Sequence, residues 1–149
     1  MALQNGSYTI TSKAGAFPVG RNKAEDRSLN PKKVVLLPQG IESPEWIVEA
    51  LADGTYILKI GGRPTANIDE LLFAVLLDEP EPTKWKVNPQ FHQGENTYTI
   101  TPVGSDNDGW QVPADAEVGT QIAIQPLKFG RSFPPTYTPE ELFVITKVD

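Results

Sequence analysis

A short sequence pattern occurs three times, in the same order, along this chain of 149 residues. In each copy a turn is followed by a small hydroxyl-bearing residue, a tyrosine and a run with the alternation of a strand; the tyrosines are Tyr8, Tyr56 and Tyr98. Each copy closes with an apolar run that begins at or near an aromatic residue: Trp46, Trp85 and Phe143. Self-similarity at intervals of 48 and 42 residues indicates one supersecondary unit built three times.

The repeat predicts an all-β fold, a β-trefoil with pseudo-threefold symmetry. In this fold a six-stranded barrel is capped by three hairpins, and the aromatic residues fill a shared core. Fourteen prolines are spread along the chain, which leaves few windows for a long helix. We expect a single domain over 1–149, with units of about 1–50, 51–92 and 93–149. The apolar spacing over 67–77 fits either a helix or a strand.

Composition excludes several functional classes. A net charge of −6 argues against nucleic-acid binding, because phosphate contacts need a basic face. No run of eighteen apolar residues is present, so no membrane partner is expected, and the lack of an evident signal peptide favours a cytoplasmic protein. With no cysteine and one histidine, His92, the sequence indicates no metal site, no cofactor and no catalytic constellation. We therefore do not expect an enzyme.

Basic residues are concentrated near the start of the chain. Residues 1–40 contain six basic and two acidic side chains, whereas residues 41–149 contain seven basic and seventeen acidic ones. Much of the excess falls in the segment 21–33, between a possible strand at 16–20 and the apolar run 34–37. This segment is predicted to be the loop that joins the second and third strands, and loops that extend from a rigid scaffold commonly carry function. A solvated polar loop without function is the alternative.

The loop contains a sequence that resembles a protease substrate. Arg27 is followed by the small Ser28 and then by Leu29. A trypsin-like protease recognises an arginine in an extended loop because an acidic group at the base of its pocket pairs with the cation. A guanidinium forms forked, charge-assisted hydrogen bonds that suit such a pocket.

An inhibitory loop must be held in its bound shape before binding. Pro31 restricts Asn30 to extended conformations. Asp26 and Asn30 are expected to hydrogen-bond local backbone groups and brace the loop from both sides. Without disulfides, rigidity has to come from the barrel and from such polar contacts.

The threefold repeat, the absence of cysteine and this arginine-bearing loop together resemble the mycospins, β-trefoil serine protease inhibitors of mushrooms. The resemblance extends over essentially the whole chain. It implies reversible, substrate-like inhibition of trypsin through the loop between the second and third strands, with Arg27 as the primary specificity residue. It also implies a fruiting-body protein that defends against grazing animals. We expect it to act as a monomer on trypsin-like serine proteases.

Other cations compete with Arg27 for this role. Lys128 and Arg131 lie in a late loop of the third unit, and Lys128 could act on other proteases there. Arg63 is less suitable, because trypsin accepts a proline poorly after the cleavable residue. The lysines close to Arg27 are expected to steer the protein toward an acidic partner face: Lys23, Lys32 and Lys33.

A carbohydrate-binding β-trefoil lectin is the alternative function. Trp46 and Trp85 occupy equivalent repeat positions and are expected in the core. Trp110 is the tryptophan that would serve as a platform for a sugar. The Gln-x-Trp signature common in lectin-type trefoils does not occur in this sequence. Inhibition of cysteine proteases through a different loop is a third possibility.

Overall fold

The computed structural model describes residues 3–105, 107–128 and 130–148, which form an all-β structure. Its twelve strands over these residues are β1 Gly6–Ser12, β2 Val19–Arg21, β3 Lys32–Leu36, β4 Trp46–Ala50, β5 Tyr56–Ile60, β6 Arg63–Ile68, β7 Leu71–Ala74, β8 Trp85–Pro89, β9 Thr97–Pro102, β10 Asp108–Gln111, β11 Ala123–Pro126 and β12 Phe143–Lys147. Two short 3-10 helices lie at Phe91–Gln93 and Pro139–Glu141. None of the helices in this part of the chain is long and apolar enough to cross a membrane.

Six of the strands form a closed antiparallel barrel. Strand β1 pairs with β4, β4 with β5, β5 with β8, β8 with β9, β9 with β12, and β12 with β1. Closure leaves no barrel strand with an unpaired edge.

Three hairpins form the second layer: β2–β3, β6–β7 and β10–β11. Strand β7 also pairs with β3 and with β11, which joins the hairpins to one another. This arrangement confirms the predicted β-trefoil. The ambiguous segment 67–77 contributes to β6 and β7 rather than to a helix. Asp69 and Glu70 connect these strands with φ angles of 53° and 65°, as a tight two-residue hairpin turn requires.

The strand register explains the sequence repeat. In each unit the tyrosine lies opposite the closing aromatic residue on the neighbouring barrel strand: Tyr8 with Trp46, Tyr56 with Trp85, and Tyr98 with Phe143. All six side chains are buried. Each repeat therefore supplies one equivalent aromatic pair to the barrel, which is why the pattern occurs three times.

Trp110 lies among the closing aromatic residues. Its ring centroid is 5.8 Å from that of Trp46, 5.4 Å from that of Trp85 and 5.8 Å from that of Phe143. All four side chains are fully buried. The prediction that Trp110 could serve as a sugar platform is therefore wrong. Its polar neighbours in sequence, Asp108 and Gln111, are partly exposed on β10, while the tryptophan between them points into the core.

Candidate functional site

The segment 22–31 joins β2 to β3, as the sequence predicted. All five residues predicted for the site lie on its exposed surface: Asp26, Arg27, Ser28, Leu29 and Asn30. Leu29 leaves 61% of its surface in solvent. Among the described residues, none forms a hydrogen bond or ion pair with the Arg27 side chain, so its guanidinium is available to a partner.

The two strands that carry the loop are fixed in the core. Val19 pairs with Leu36 and Arg21 pairs with Val34 across the hairpin. Val19, Val34 and Leu36 are completely buried, so burial of their apolar side chains anchors both ends of the loop. The position of the loop relative to the barrel is therefore set by core packing.

A bidentate ion pair supports the first part of the loop. The Arg21 guanidinium donates to Glu25 Oε1 at 2.7 Å and to Glu25 Oε2 at 3.1 Å, and both side chains are largely covered. Gly61, in the turn between β5 and β6, lies against this guanidinium. Its φ is +61°, and a Cβ at this position would lie 2.9 Å from Arg21 Nη1. Glycine thus allows the turn to approach the pair closely.

Asp26 and Ser28 form a polar turn around Arg27. One carboxylate oxygen of Asp26 accepts hydrogen bonds from the Ser28 backbone N–H at 3.0 Å and from Ser28 Oγ at 2.6 Å. Ser28 Oγ in turn accepts the backbone N–H of Asn30 at 3.3 Å. The expected brace by Asp26 is present, whereas Asn30 contributes its own backbone N–H instead of a side-chain contact. The backbone on either side of Arg27 is thereby constrained.

The buried side chain of Lys32 adds further hydrogen bonds to this polar turn. Its ammonium donates to the Asp26 carbonyl oxygen at 3.1 Å, to Ser28 Oγ at 3.3 Å and to the Asp26 carboxylate. The Lys32 side chain is only 7% exposed, whereas that of Asp26 is 72% exposed. The prediction that Lys32 helps to steer a partner is therefore wrong, because its charge is used inside the loop. Lys23 and Lys33 are exposed and retain that predicted role.

The strand alternation around Lys32 gives only a weak indication that its side chain is buried. Successive side chains of a strand point to opposite faces, so Lys32 shares a face with the buried Val34 and Leu36. Val35 is buried as well, which interrupts the alternation that would have revealed this face.

The contacts of Asp26 stabilise its ionised form. The hydrogen bond from Lys32, followed by those from Ser28, lowers the pKa of Asp26 from its ordinary value of 3.8 to about 2. The carboxylate therefore stays ionised at neutral pH and well below it, and in this form it accepts all of these bonds.

Comparisons with known proteins agree with this architecture. The family model for "Peptidase inhibitor I66" matches residues 1–147. A serine protease inhibitor from Lentinula edodes is 42% identical over 149 residues, which cover 99% of this chain and 100% of the relative.

Two solved structures give the same result for the fold. A proteinase inhibitor from Coprinopsis cinerea has a TM-score of 0.92 at 42% identity, with coverage of 99% of this chain and 100% of the other. The designed threefold-symmetric protein ThreeFoil has a TM-score of 0.73 at 12% identity, covers 96% of this chain and 99% of its own, and supports the fold alone. With a family match over nearly its whole length and a closely similar inhibitor structure, the chain belongs to the peptidase inhibitor I66 family, whose members are inhibitors and not enzymes.

Proposed function

We propose that this peptidase inhibitor acts reversibly on trypsin-like serine proteases and inserts Arg27 into the specificity pocket of the protease. The Arg27–Ser28 peptide bond then lies where a substrate bond would be cleaved. The loop binds as a substrate does but is released slowly and largely intact.

The observation that carries this proposal is the contrast between Arg27 and its neighbours. The Arg27 side chain is exposed, while Asp26 and Ser28 on either side are hydrogen-bonded to each other and to the buried Lys32. An exposed specificity residue on a constrained backbone loses little conformational entropy on binding. It also resists the movement that hydrolysis requires, because the turn would have to break before the cleaved ends could separate.

Charge and exposure favour a protease with an acidic pocket. Arginine presents five N–H donors in a planar fork, and a buried carboxylate in a water-excluded pocket is its natural partner. Leu29 provides exposed apolar surface two residues beyond Arg27, where a partner can cover it. Lys23 and Lys33 add exposed positive charge nearby, which accelerates association with an acidic face.

The expected loss of binding energy on removal of the Arg27 side chain can be estimated from protease–inhibitor interfaces in general. Protease–inhibitor complexes bury roughly 1,600 Å² in total, but a few anchor residues supply most of the binding energy. Removal of the Arg27 side chain should cost about 2 kcal/mol or more, which corresponds to a roughly 30-fold weaker inhibition constant.

The test is a titration of trypsin with the parent protein, Arg27→Ala, Arg27→Lys and the control Arg63→Ala. We expect strong inhibition by the parent and by Arg63→Ala, retained inhibition by Arg27→Lys, and a large loss with Arg27→Ala. Circular dichroism should show the same fold for all four, because both arginines are exposed. Equal inhibition by the parent and Arg27→Ala would show that another loop binds the protease.

A further inference from the structure

The three tyrosines of the sequence repeat lie close together in the core but differ in their hydrogen bonds. The Tyr8 hydroxyl donates to the Gln4 carbonyl oxygen at 2.9 Å, and the Tyr56 hydroxyl donates to the Leu3 carbonyl oxygen at 3.3 Å. Tyr98 is equally well buried, with 4% of its surface exposed, yet no residue that the structure describes forms a hydrogen bond with its hydroxyl. The segment before β1 therefore provides partners for two of the three equivalent hydroxyls and leaves the third without one.

Tyr98 lines a cavity of about 500 Å³ that opens to solvent. Its hydroxyl oxygen is therefore not sealed inside the core, as Trp110 Nε1 is. The apolar part of the cavity wall is formed by Leu3, Tyr8 and Phe91 together with Tyr98. The rings of Phe91 and Tyr98 are in edge-to-face contact with their centroids 5.4 Å apart, and Phe91 is 47% exposed. A cavity of this size, with mostly apolar walls and a few polar groups, is typical of a small-molecule site.

The polar groups of this cavity favour a ligand that accepts hydrogen bonds and carries a negative charge. Burial and the neighbouring Tyr8 and Tyr56 raise the pKa of Tyr98, so its hydroxyl stays protonated and can donate at neutral pH. The exposed ammonium of Lys147 is a second donor at the cavity and carries a positive charge. Within the described ranges, Lys147 forms no ion pair. The carboxylate of Glu95, exposed at the same cavity, acts in the opposite direction.

We propose that this cavity binds a small aromatic carboxylate. The aromatic body packs against Phe91 and the other apolar walls, and the carboxylate accepts hydrogen bonds from the Tyr98 hydroxyl and the Lys147 ammonium. A ligand without an acceptor would leave the Tyr98 hydroxyl unpaired, and one without an apolar body would leave the cavity wall uncovered. None of the lining residues belongs to the β2–β3 loop, so this site does not depend on the proposed protease inhibition.

The test uses 2-naphthoate as the probe and follows its binding by NMR titration. We expect saturable shifts of backbone amides at residues that line the cavity, such as Phe91 and Tyr98. Tyr98→Phe should weaken binding by about tenfold, because a hydrogen bond to a charged acceptor is lost. The same substitution should leave the free energy of unfolding nearly unchanged, because the hydroxyl has no partner within the described protein. Binding of 2-naphthoate to Tyr98→Phe as tight as that to the parent would overturn the proposal.

Charge provides a second criterion with opposite signs at two positions. Lys147→Met should weaken the binding of 2-naphthoate by about threefold, whereas Glu95→Gln should strengthen it by about twofold. Lys33→Met is the control for a general effect of net charge, because Lys33 is exposed on β3 and does not line the cavity; its binding should equal that of the parent. The neutral 2-naphthamide should bind more weakly than 2-naphthoate and respond to neither charge substitution.

Three further outcomes would contradict the site. The first is the absence of saturable binding of 2-naphthoate by the parent at millimolar concentrations. The second is a set of shifts confined to residues away from the cavity. The third is an equal effect of Lys147→Met and Lys33→Met, because the ligand would then respond only to the net charge of the protein.

Discussion

Lys32 and Asp26 are joined across the base of the β2–β3 loop, with the lysine buried and the aspartate in solvent. The ammonium contacts both the main-chain carbonyl oxygen of Asp26, at 3.1 Å, and its carboxylate. Arg27 is the next residue, so this contact constrains the backbone immediately before it. In a chain without cysteine, these non-covalent contacts of a buried lysine connect the loop to β3.

Lys32→Met should therefore make the β2–β3 loop less constrained, while the barrel keeps its fold. Methionine has a comparable length and suits the buried stem, but it offers no hydrogen bonds to Asp26 or Ser28. We expect at least tenfold weaker inhibition of trypsin and faster cleavage after Arg27, measured by enzyme titration and intact mass. Lys147→Met is the matched control, because Lys147 is exposed on β12 and takes no part in the contacts of this loop. Unchanged inhibition and cleavage in Lys32→Met would show that the lysine does not hold the loop.

The pKa of Asp26 reports on the same contact. Because this pKa is lowered to about 2, the stabilisation from the ionised carboxylate is fully present above pH 3.8 and is lost as the pH falls through about 2. In Lys32→Met the pKa of Asp26 should rise toward 3.8, because the hydrogen bond from Lys32, which is the main cause of the lowered pKa, is removed. Carboxyl chemical shifts followed by NMR measure this directly.

Asp53 provides an internal control for that titration. Its carboxylate accepts hydrogen bonds from the Thr55 N–H and Oγ1, in a turn like that of Asp26 and Ser28, and these bonds lower its pKa. Since Lys32 takes no part in that turn, the titration of Asp53 should be the same in parent and variant. A shift of both aspartates would indicate a general change in the fold, and a shift of neither would contradict the role of Lys32.

The core offers a prediction about hydrogen bonding. Trp46 Nε1 donates to the Val19 carbonyl oxygen at 2.8 Å, and Trp85 Nε1 donates to Thr65 Oγ1 at 3.0 Å. Trp110 Nε1 is the one buried side-chain nitrogen or oxygen that lacks such a partner in the described part of the chain. Replacement by phenylalanine reduces the volume in all three cases, but only at Trp46 and Trp85 does it remove a hydrogen bond.

Trp110→Phe should therefore destabilise the protein less than Trp46→Phe or Trp85→Phe, by about 1 kcal/mol. The free energies of unfolding from denaturant titration provide the measurement. If the free energy of unfolding falls in Trp110→Phe by as much as in the other two variants, or by more, then packing around the Trp110 ring matters more than its unpaired N–H.

The sequence was most informative where the fold repeats itself. Tyr8 and Trp46 recur as equivalent pairs in all three units because barrel closure requires the same pairing three times. Residues outside the repeat were harder to interpret. The environment of Trp110 depends on three separate strands, and that of Lys32 on how the loop folds back over β3. The contacts of Trp110 join residues that are far apart in the chain and leave no local pattern, whereas those of Lys32 span only four to six residues and depend on the conformation of the loop.

Insertion of Arg27 into the specificity pocket is the central claim, and displacement of a pocket ligand tests it most directly. A fluorescent benzamidine bound in the pocket of trypsin loses its signal when another cation displaces it. At a concentration at which the parent displaces about nine-tenths of the benzamidine, Arg27→Ala, which should bind roughly 30-fold more weakly, should leave about three-quarters or more of the signal. Equal displacement by both proteins, or tight binding of the parent with the benzamidine still in place, would contradict the claim.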